Sequence, residues 1–383
     1  MRKLMLVNGR VFDGYQFIGY KDILIEGNKV AGLQDQISSD YCRIDVKDMI
    51  VCPGFIDIHT HGAMGWDFTN ADSDGLSKVC YFFGVHGVTS FLATAHTAES
   101  QKIRSCLRQI ALFKEKKHVY DNILGVHLEG PFINEKRKGA MNEQYIRLPS
   151  IENYDELVSG YEDMVKTITL APEMTGAPQF IKYLKARGVY VSLGHSAATY
   201  DETLEAINYG ANRATHLFNA MSALNHREPG IAGGVLDCRD VFVEMIADGN
   251  HLHPAVIRLI YKIKGPDRCV IVSDSVEPAG LEDGEYNIGG KTVVMKDQIC
   301  RQKGSDTLCG STITLDQSVR NLILMGIDME GALKMVTSSP AAAIGLKGKK
   351  GELKPGCDAD IVVLDKNLNV VLTIIRGEIL KDR

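Results

Sequence analysis

The sequence predicts an α/β protein whose middle forms a (β/α)8 barrel and whose two ends pair into a small β domain. Three observations carry this. From about Pro53 to Leu346, apolar strand-like runs alternate with helical segments, the pattern of parallel strands covered by helices. That stretch has the length of a barrel, which takes about 250 residues. Both ends of the chain consist instead of short alternating runs broken by turn residues. The expected division is therefore 53–346 for the barrel, with 1–52 and 347–383 forming the small domain. The helical count from one sequence leaves an open parallel sheet as the alternative.

Taken in order, KLMLVNGRVFDG and KDILIEGNKVAGL carry Asn-Gly and Gly-Asn hairpin signals, and GELKPGCDADIVVLDKNLNVVLTIIRGEIL has the same character at the other end. In the middle, VTSFLAT, ILGVHLEG, TITLAPE, VYVSLGH, RATHLFN and CVIVSDS read as strands, and TYDETLEAINYG and HPAVIRLIYKIKG as helices. The run EYNIGGKTVVMKDQICRQK breaks this rhythm and reads as a β-hairpin inserted after the last strand. In GSTITLDQSVRNLILMG, Ser311 or Thr312 is the expected helix cap.

Bulk properties exclude several classes. A formal charge of -5 lacks the basic excess of a nucleic-acid binder. Nine cysteines with no CxxC pair fit a reduced protein better than a disulfide framework. After the first basic residues only four apolar ones precede Asn8, too few for a secretion signal. No apolar stretch approaches the roughly 20 residues that span a bilayer. A soluble, cytoplasmic protein without nucleic-acid or membrane partners is expected.

The chemistry gathers at strand ends. In IDIHTHG, His59 and His61 sit two apart on a strand-like run, so both imidazoles face one space. Glu129 ends GVHLEG, His195 ends VSLGH, His216 lies in ATHLFN and Asp274 in IVSDS. Barrel enzymes build their sites at the C-terminal ends of the strands. Each residue alone has an ordinary explanation, a packed imidazole or a capped helix. Five strand ends of one repeating unit, all ending in ligand types, do not. Histidines with carboxylates suit zinc, iron, cobalt or manganese better than calcium or magnesium. His127 shares a face with Glu129 and is expected to orient it from behind. His86, His96, His118, His226 and His253 are read as structural or surface residues, with His96, at the end of LATAH, the nearest to the site. Cys309 precedes Gly310-Ser311 near the expected mouth but has no base to activate it.

Together PGFIDIHTHG, GVHLEGPFINEKRKGA, VSLGHSAAT, ATHLFNAM, REPGIAGG, ADGNHLHP and IVSDSVEPAG resemble the N-acetylglucosamine-6-phosphate deacetylase family of the amidohydrolase superfamily. The likeness runs over nearly the whole chain. It implies a barrel with a small β-sandwich built from both termini, a homodimer, and conversion of an amino-sugar phosphate to the free amine and acetate. It implies Glu129, His195 and His216 as the main metal ligands and Asp274 as the catalytic carboxylate, general base and then acid. Asn219 and Ala220 match positions that meet the sugar phosphate. Arg227 and His251 match a phosphate-facing pair brought across from the neighbouring subunit, and Ala140 matches the acetamido pocket. Met141 stands where some members have a histidine. Members that keep the HxH pair can hold a second ion, so one or two divalent metals per chain are expected, zinc or iron first and cobalt or manganese next. The galactosamine epimer as substrate remains an alternative, as does another metal amidohydrolase. A metal-free scaffold would lack several ligands, and none is missing.

Overall fold

The computed structural model describes residues 3–34, 40–116 and 122–380; His118 lies outside them. Eight parallel strands follow one another in chain order: β1 (Phe55–Thr60), β2 (Val88–His96), β3 (Ile123–Glu129), β4 (Val165–Leu170), β5 (Tyr190–Leu193), β6 (Arg213–Ala214), β7 (Phe242–Met245) and β8 (Cys269–Ile271). An open doubly wound sheet would reverse its strand order at a switch point. Here no reversal occurs, and the first and last strands meet. His61 N donates to Ser275 O at 2.7 Å and Asp274 N to His59 O at 2.9 Å. The sheet is a barrel.

Its helices form where the sequence supplies caps. Thr199 and Glu202 make a reciprocal capping box before Tyr200–Tyr209, and Gly210 ends that helix at φ 131°. Pro254 opens Pro254–Lys264 behind the cap His253, whose ring nitrogen accepts from Ala255 N. Alternation along β1 divides the packing: Ile56 and Ile58 join Leu92, Val270 and Val272 in an apolar cluster, while Asp57 and His59 are buried polar residues on the opposite face.

The two ends of the chain share one mixed sheet of eight strands. Strand Lys3–Phe12 pairs antiparallel with Phe17–Glu26, and along its other edge parallel with Cys42–Asp45 and then Ile50–Pro53. Ile50–Pro53 also pairs antiparallel with Ile361–Leu364, which joins the two ends. This sheet has its own core, including Leu6, Ile23, Ile25, Val51, Ile361 and Ile374. It passes into the barrel at a single residue, Gly54. A Cβ there would lie 2.0 Å from Thr89 Oγ1, so only glycine fits.

Two local expectations are corrected. The insertion after β8 has three antiparallel strands, Gly284–Ile288, Lys291–Lys296 and Ile299–Gln302, because Asp297 and Gln298, at φ 51° and 62°, turn the chain back a second time. The cap position of helix Leu315–Leu324 is Thr314. Ser311 instead donates to Ser273 O, and Thr312 to Gln298 O at 2.6 Å, so both hydroxyls anchor strand-like backbone rather than start a helix.

Helix Ser73–Val85 is clasped to helix Leu315–Leu324 by Asp316. It receives His86 Nδ1 at 3.1 Å, at the end of helix Ser73–Val85, and Arg320 Nη2 at 2.9 Å. Burial opposes its ionisation, but the hydrogen bond and charge of His86, with Arg320, bring its pKa down to about 2. A depressed carboxylate stabilises fully above its unfolded pKa of about 3.9, and the contribution is lost as pH falls towards about 2. Asp316→Asn is therefore expected to cost about 1–3 kcal/mol at pH 7 and progressively less below pH about 4. Urea midpoints measured at pH 7 and pH 3 check this; equal midpoints at pH 7 would remove the clasp.

Candidate active site

All six expected ligand residues converge at the C-terminal mouth of the barrel. Glu129, only 3% exposed, ends β3 and lies between two groups of imidazoles. Its Oε1 is 3.1 Å from His195 Nε2 and 3.0 Å from His216 Nε2. Its Oε2 is 3.2 Å from His61 Nε2, and His59 Nε2 is 3.4 Å from Oε1. Asp274 Oδ1 closes the second group, 3.5 Å from His59 Nε2 and 3.2 Å from His61 Nε2. Two clusters result, Glu129–His195–His216 and His59–His61–Asp274, each with its donor atoms close enough to hold one ion.

The backbone bends sharply to achieve this. His195, His216 and Asp274 all lie just beyond their strands with φ of 49°, 28° and 48°, and Phe218 and Ala220 follow at 74° and 50°. Non-glycine residues adopt this left-handed region at a cost of about 1–3 kcal/mol each, and such strain clusters at functional sites. Here neighbouring strand ends fix it: Asn134 N donates to His195 O, Leu217 N to Glu244 O and Ser311 N to Asp274 O.

The residues fit a divalent cation. His195 Nδ1 faces the Arg137 carbonyl at 2.8 Å, and His59 Nδ1 faces the Glu244 carboxylate at 3.0 Å. Both partners accept, so the protons sit on Nδ1 and the Nε2 lone pairs point forward. There they meet carboxylate oxygens, acceptor against acceptor. His59 Nε2, wholly buried, has no hydrogen-bond partner. A cation between these atoms satisfies every one of them.

Above the ligands opens a cavity of 1240 Å³, lined by residues that include Ala140, Met141, Asn219, Ala220 and His251. Ala140 packs with Val276, Val293, Cys300 and Cys309 into an apolar wall formed partly by the inserted sheet. His251 lines the mouth of its own barrel, where Asp248 accepts its backbone N at 2.9 Å and its Nδ1 at 2.7 Å. His127 does not orient Glu129. Its Nε2 bonds Thr169 Oγ1 at 2.7 Å, and its ring packs edge-on against His59 with centroids 4.6 Å apart. Burial, then His59, pushes its pKa well down, so it stays neutral. Arg227 is exposed on the 223–228 segment and outside the lining.

The amidohydrolase family model matches residues 50–380. The chain belongs to the amidohydrolase family. It is 37% identical over 331 residues to an N-acetylglucosamine-6-phosphate deacetylase of Vibrio furnissii, covering 86% of this chain and 82% of that one. It is equally 37% identical over 331 residues to an N-acetylgalactosamine-6-phosphate deacetylase of Escherichia coli O157:H7, covering 86% and 87%. A mutant N-acetyl-D-glucosamine-6-phosphate deacetylase from Mycobacterium smegmatis, solved in complex with N-acetyl-D-glucosamine-6-phosphate, covers 100% of both chains with TM-score 0.92 at 32% identity.

Several residues of this amidohydrolase site escape sequence reasoning. Glu244 sits on β7, a four-residue strand that the pattern does not single out, and pairs through Oε1 with Arg213 Nε at 3.0 Å. Asp57, two before His59, accepts from His59 N and Ser273 N and ties β1 to β8; burial pushes its pKa up to about 7. His96, read as structural, lines the mouth beside His61, its Nδ1 3.4 Å from Asp67 Oδ2. The available signal was period two from known ligands, which marks Asp57 and, from His59 across the barrel, nothing else.

Proposed function

We propose that this amidohydrolase hydrolyses the acetamide of N-acetyl-D-glucosamine 6-phosphate to D-glucosamine 6-phosphate and acetate, in amino-sugar catabolism or recycling. The observation that carries the reading is the buried Glu129 between two histidine clusters, with Asp274 beside one of them and an apolar wall at Ala140 beyond. The relatives' named activities give the substrate class. A second reading, the galactosamine epimer, is favoured by an equal identity to a relative of that name.

A divalent ion at these ligands, zinc or iron on the donor set, supplies the Lewis acidity that makes water nucleophilic near neutral pH and polarises a carbonyl oxygen. The chain's own residues do the rest. Asp274, a carboxylate beside His59 and His61, takes the proton of the attacking water. It then delivers that proton to the amide nitrogen, turning a poor leaving group into an amine. Ala140 and Val276 receive the acetyl methyl group and keep water from that side. Asn219 and Ala220, on the left-handed turn after β6, face the sugar phosphate. Arg227, exposed and away from its own mouth, serves the phosphate only from a second copy, which favours a homodimer. Its guanidinium offers phosphate a planar fork of donors. His251 serves its own site.

The two clusters support a binuclear-capable centre, with Glu129 shared. Metal analysis is expected to find up to two ions per chain, falling to one in the His59→Asn/His61→Asn double variant. One ion in both proteins would defeat the two-ion reading. Acetate release is expected to favour the 6-phosphate over free N-acetylglucosamine by at least about 100-fold in kcat/KM, since each charge-assisted phosphate contact is worth about 1.5–3 kcal/mol; equal rates would remove the phosphate site, and a preference for N-acetylgalactosamine 6-phosphate would select the second reading. Asp274→Asn is expected to keep the Glu129–His195–His216 ion and lose about 10²–10⁴-fold in kcat. An active Asp274→Asn enzyme would reassign the base.

A further inference from the structure

We propose that Glu244, backed by Arg213, is a positioning residue that fixes the tautomer of His59 and thereby controls filling of the second metal position. The inference rests on the two-ion reading of the site. Glu244 and Arg213 lie on adjacent strands β7 and β6, and both are 0% exposed. The two oxygens of the carboxylate face different partners. Oε1 lies 3.0 Å from Arg213 Nε, while Oε2 lies 3.0 Å from His59 Nδ1 and accepts from His216 N at 3.4 Å. Arg213 Nη2 in turn donates to Thr167 Oγ1 at 2.9 Å, so the guanidinium is held from β4 as well.

Facing a guanidinium that has only donors, the carboxylate acts towards His59 as an acceptor. The imidazole proton is thereby kept on Nδ1. The Nε2 lone pair then points forward, 3.4 Å from Glu129 Oε1 and 3.5 Å from Asp274 Oδ1, where a second ion would sit. The opposite tautomer would aim an N–H at that position and block it. Of the two histidines in this cluster, only His59 is fixed in this way: His61 Nδ1 is buried without a hydrogen-bond partner. The first cluster has a different anchor, the Arg137 carbonyl behind His195. Towards the first cluster Glu244 offers Oε2 only to the backbone N of His216, at 3.4 Å, so the imidazole it orients is that of the second position.

Stability alone is a poor reason for this pair. A buried ion pair is often replaceable by apolar residues without loss, because desolvation offsets its attraction. What apolar residues cannot supply is an acceptor at His59 Nδ1. Partners of this kind behind a ligating histidine are worth about 10–100-fold in metal affinity.

The test is titration of the metal-free full-length protein with zinc, with metal content and both affinities measured for wild type, Glu244→Gln, His59→Asn and the double variant. Glu244→Gln is expected to bind the first ion as wild type does and the second about 10–100-fold more weakly. Added to His59→Asn, it is expected to change nothing further, because it acts through that imidazole. An undiminished second ion in Glu244→Gln, or equal weakening of both positions, overturns the proposal, as does an additive effect in the His59→Asn background. A wild type that binds a single ion defeats the two-ion reading itself, a distinct result. Should Glu244→Gln not fold around an unpaired Arg213, the Arg213→Met/Glu244→Leu pair removes both charges and the acceptor and is expected to show the same selective loss; two tight ions in that pair overturn the proposal.

Discussion

A single buried carboxylate organises the molecule. Glu129 is removed from water at the end of a barrel strand, where an unpaired charge would cost several kcal/mol. Four imidazole Nε2 atoms surround it within 3.4 Å, a donor set whose charge a bound cation would balance, and they come from β1, the turn beyond β5 and the turn beyond β6. Those segments therefore have to end at the same height around the barrel. The closure of β1 against the segment after β8 and the left-handed turns at His195, His216 and Asp274 are what this convergence requires. Backbone strain at three ligands is tolerable because neighbouring backbone holds it, through Asn134 N to His195 O, Leu217 N to Glu244 O and Ser311 N to Asp274 O.

Beneath the ligands the barrel interior is polar where apolar branched residues usually fill it. His127 bonds Thr169, Thr169 bonds Thr215, and Thr215 bonds Ser192, a chain of short contacts across β3 to β6. Beside it run Thr167, Arg213, Glu244 and His59. Such a network favours one arrangement of the groups above it, with Arg213 Nη1 and His127 Nδ1 left without a hydrogen-bond partner. Apolar packing would hold the strands equally well but would leave the imidazole tautomers unspecified. The polar layer thus links barrel architecture to ligand chemistry: it converts a packed core into a set of directed acceptors.

How much of this was legible follows from which signals are local. The HxH spacing is period two and gives a shared face directly, as the His59 and His61 rings, 5.3 Å apart, bear out. Strand–helix alternation gave the barrel, and Thr199 with Gly210 bounded a helix to the residue. Glu244 was invisible because its partners His59 and Arg213 are 185 and 31 positions away, and because a glutamate inside a four-residue strand reads as solvent-facing. The same blindness misled on His127: a shared strand face with Glu129 is correct, but the imidazole turns to Thr169 on the next strand, which sequence spacing cannot show. At 311–316 the hydroxyls were plausible caps, and tertiary bonds to Ser273 and Gln298 moved the helix start to Thr314.

The two ends of the substrate cavity are built under opposite constraints. At the amide end every group is buried and its direction is fixed by neighbours on adjacent strands, so the chemistry tolerates little displacement. At the far end the lining comes from turns and from cationic segments such as Lys136 and Lys138, the latter already bonded to Glu143. Arg227 stands outside altogether on exposed backbone. A phosphate can be held from several directions by charge alone, whereas a carbonyl under attack needs one orientation. The buried half of the site therefore sets the reaction class, which a rigid barrel end can encode within one chain. The open half is lined by loop residues such as Met141 and by His96 at the end of β2, whose ring lies beside that of His61.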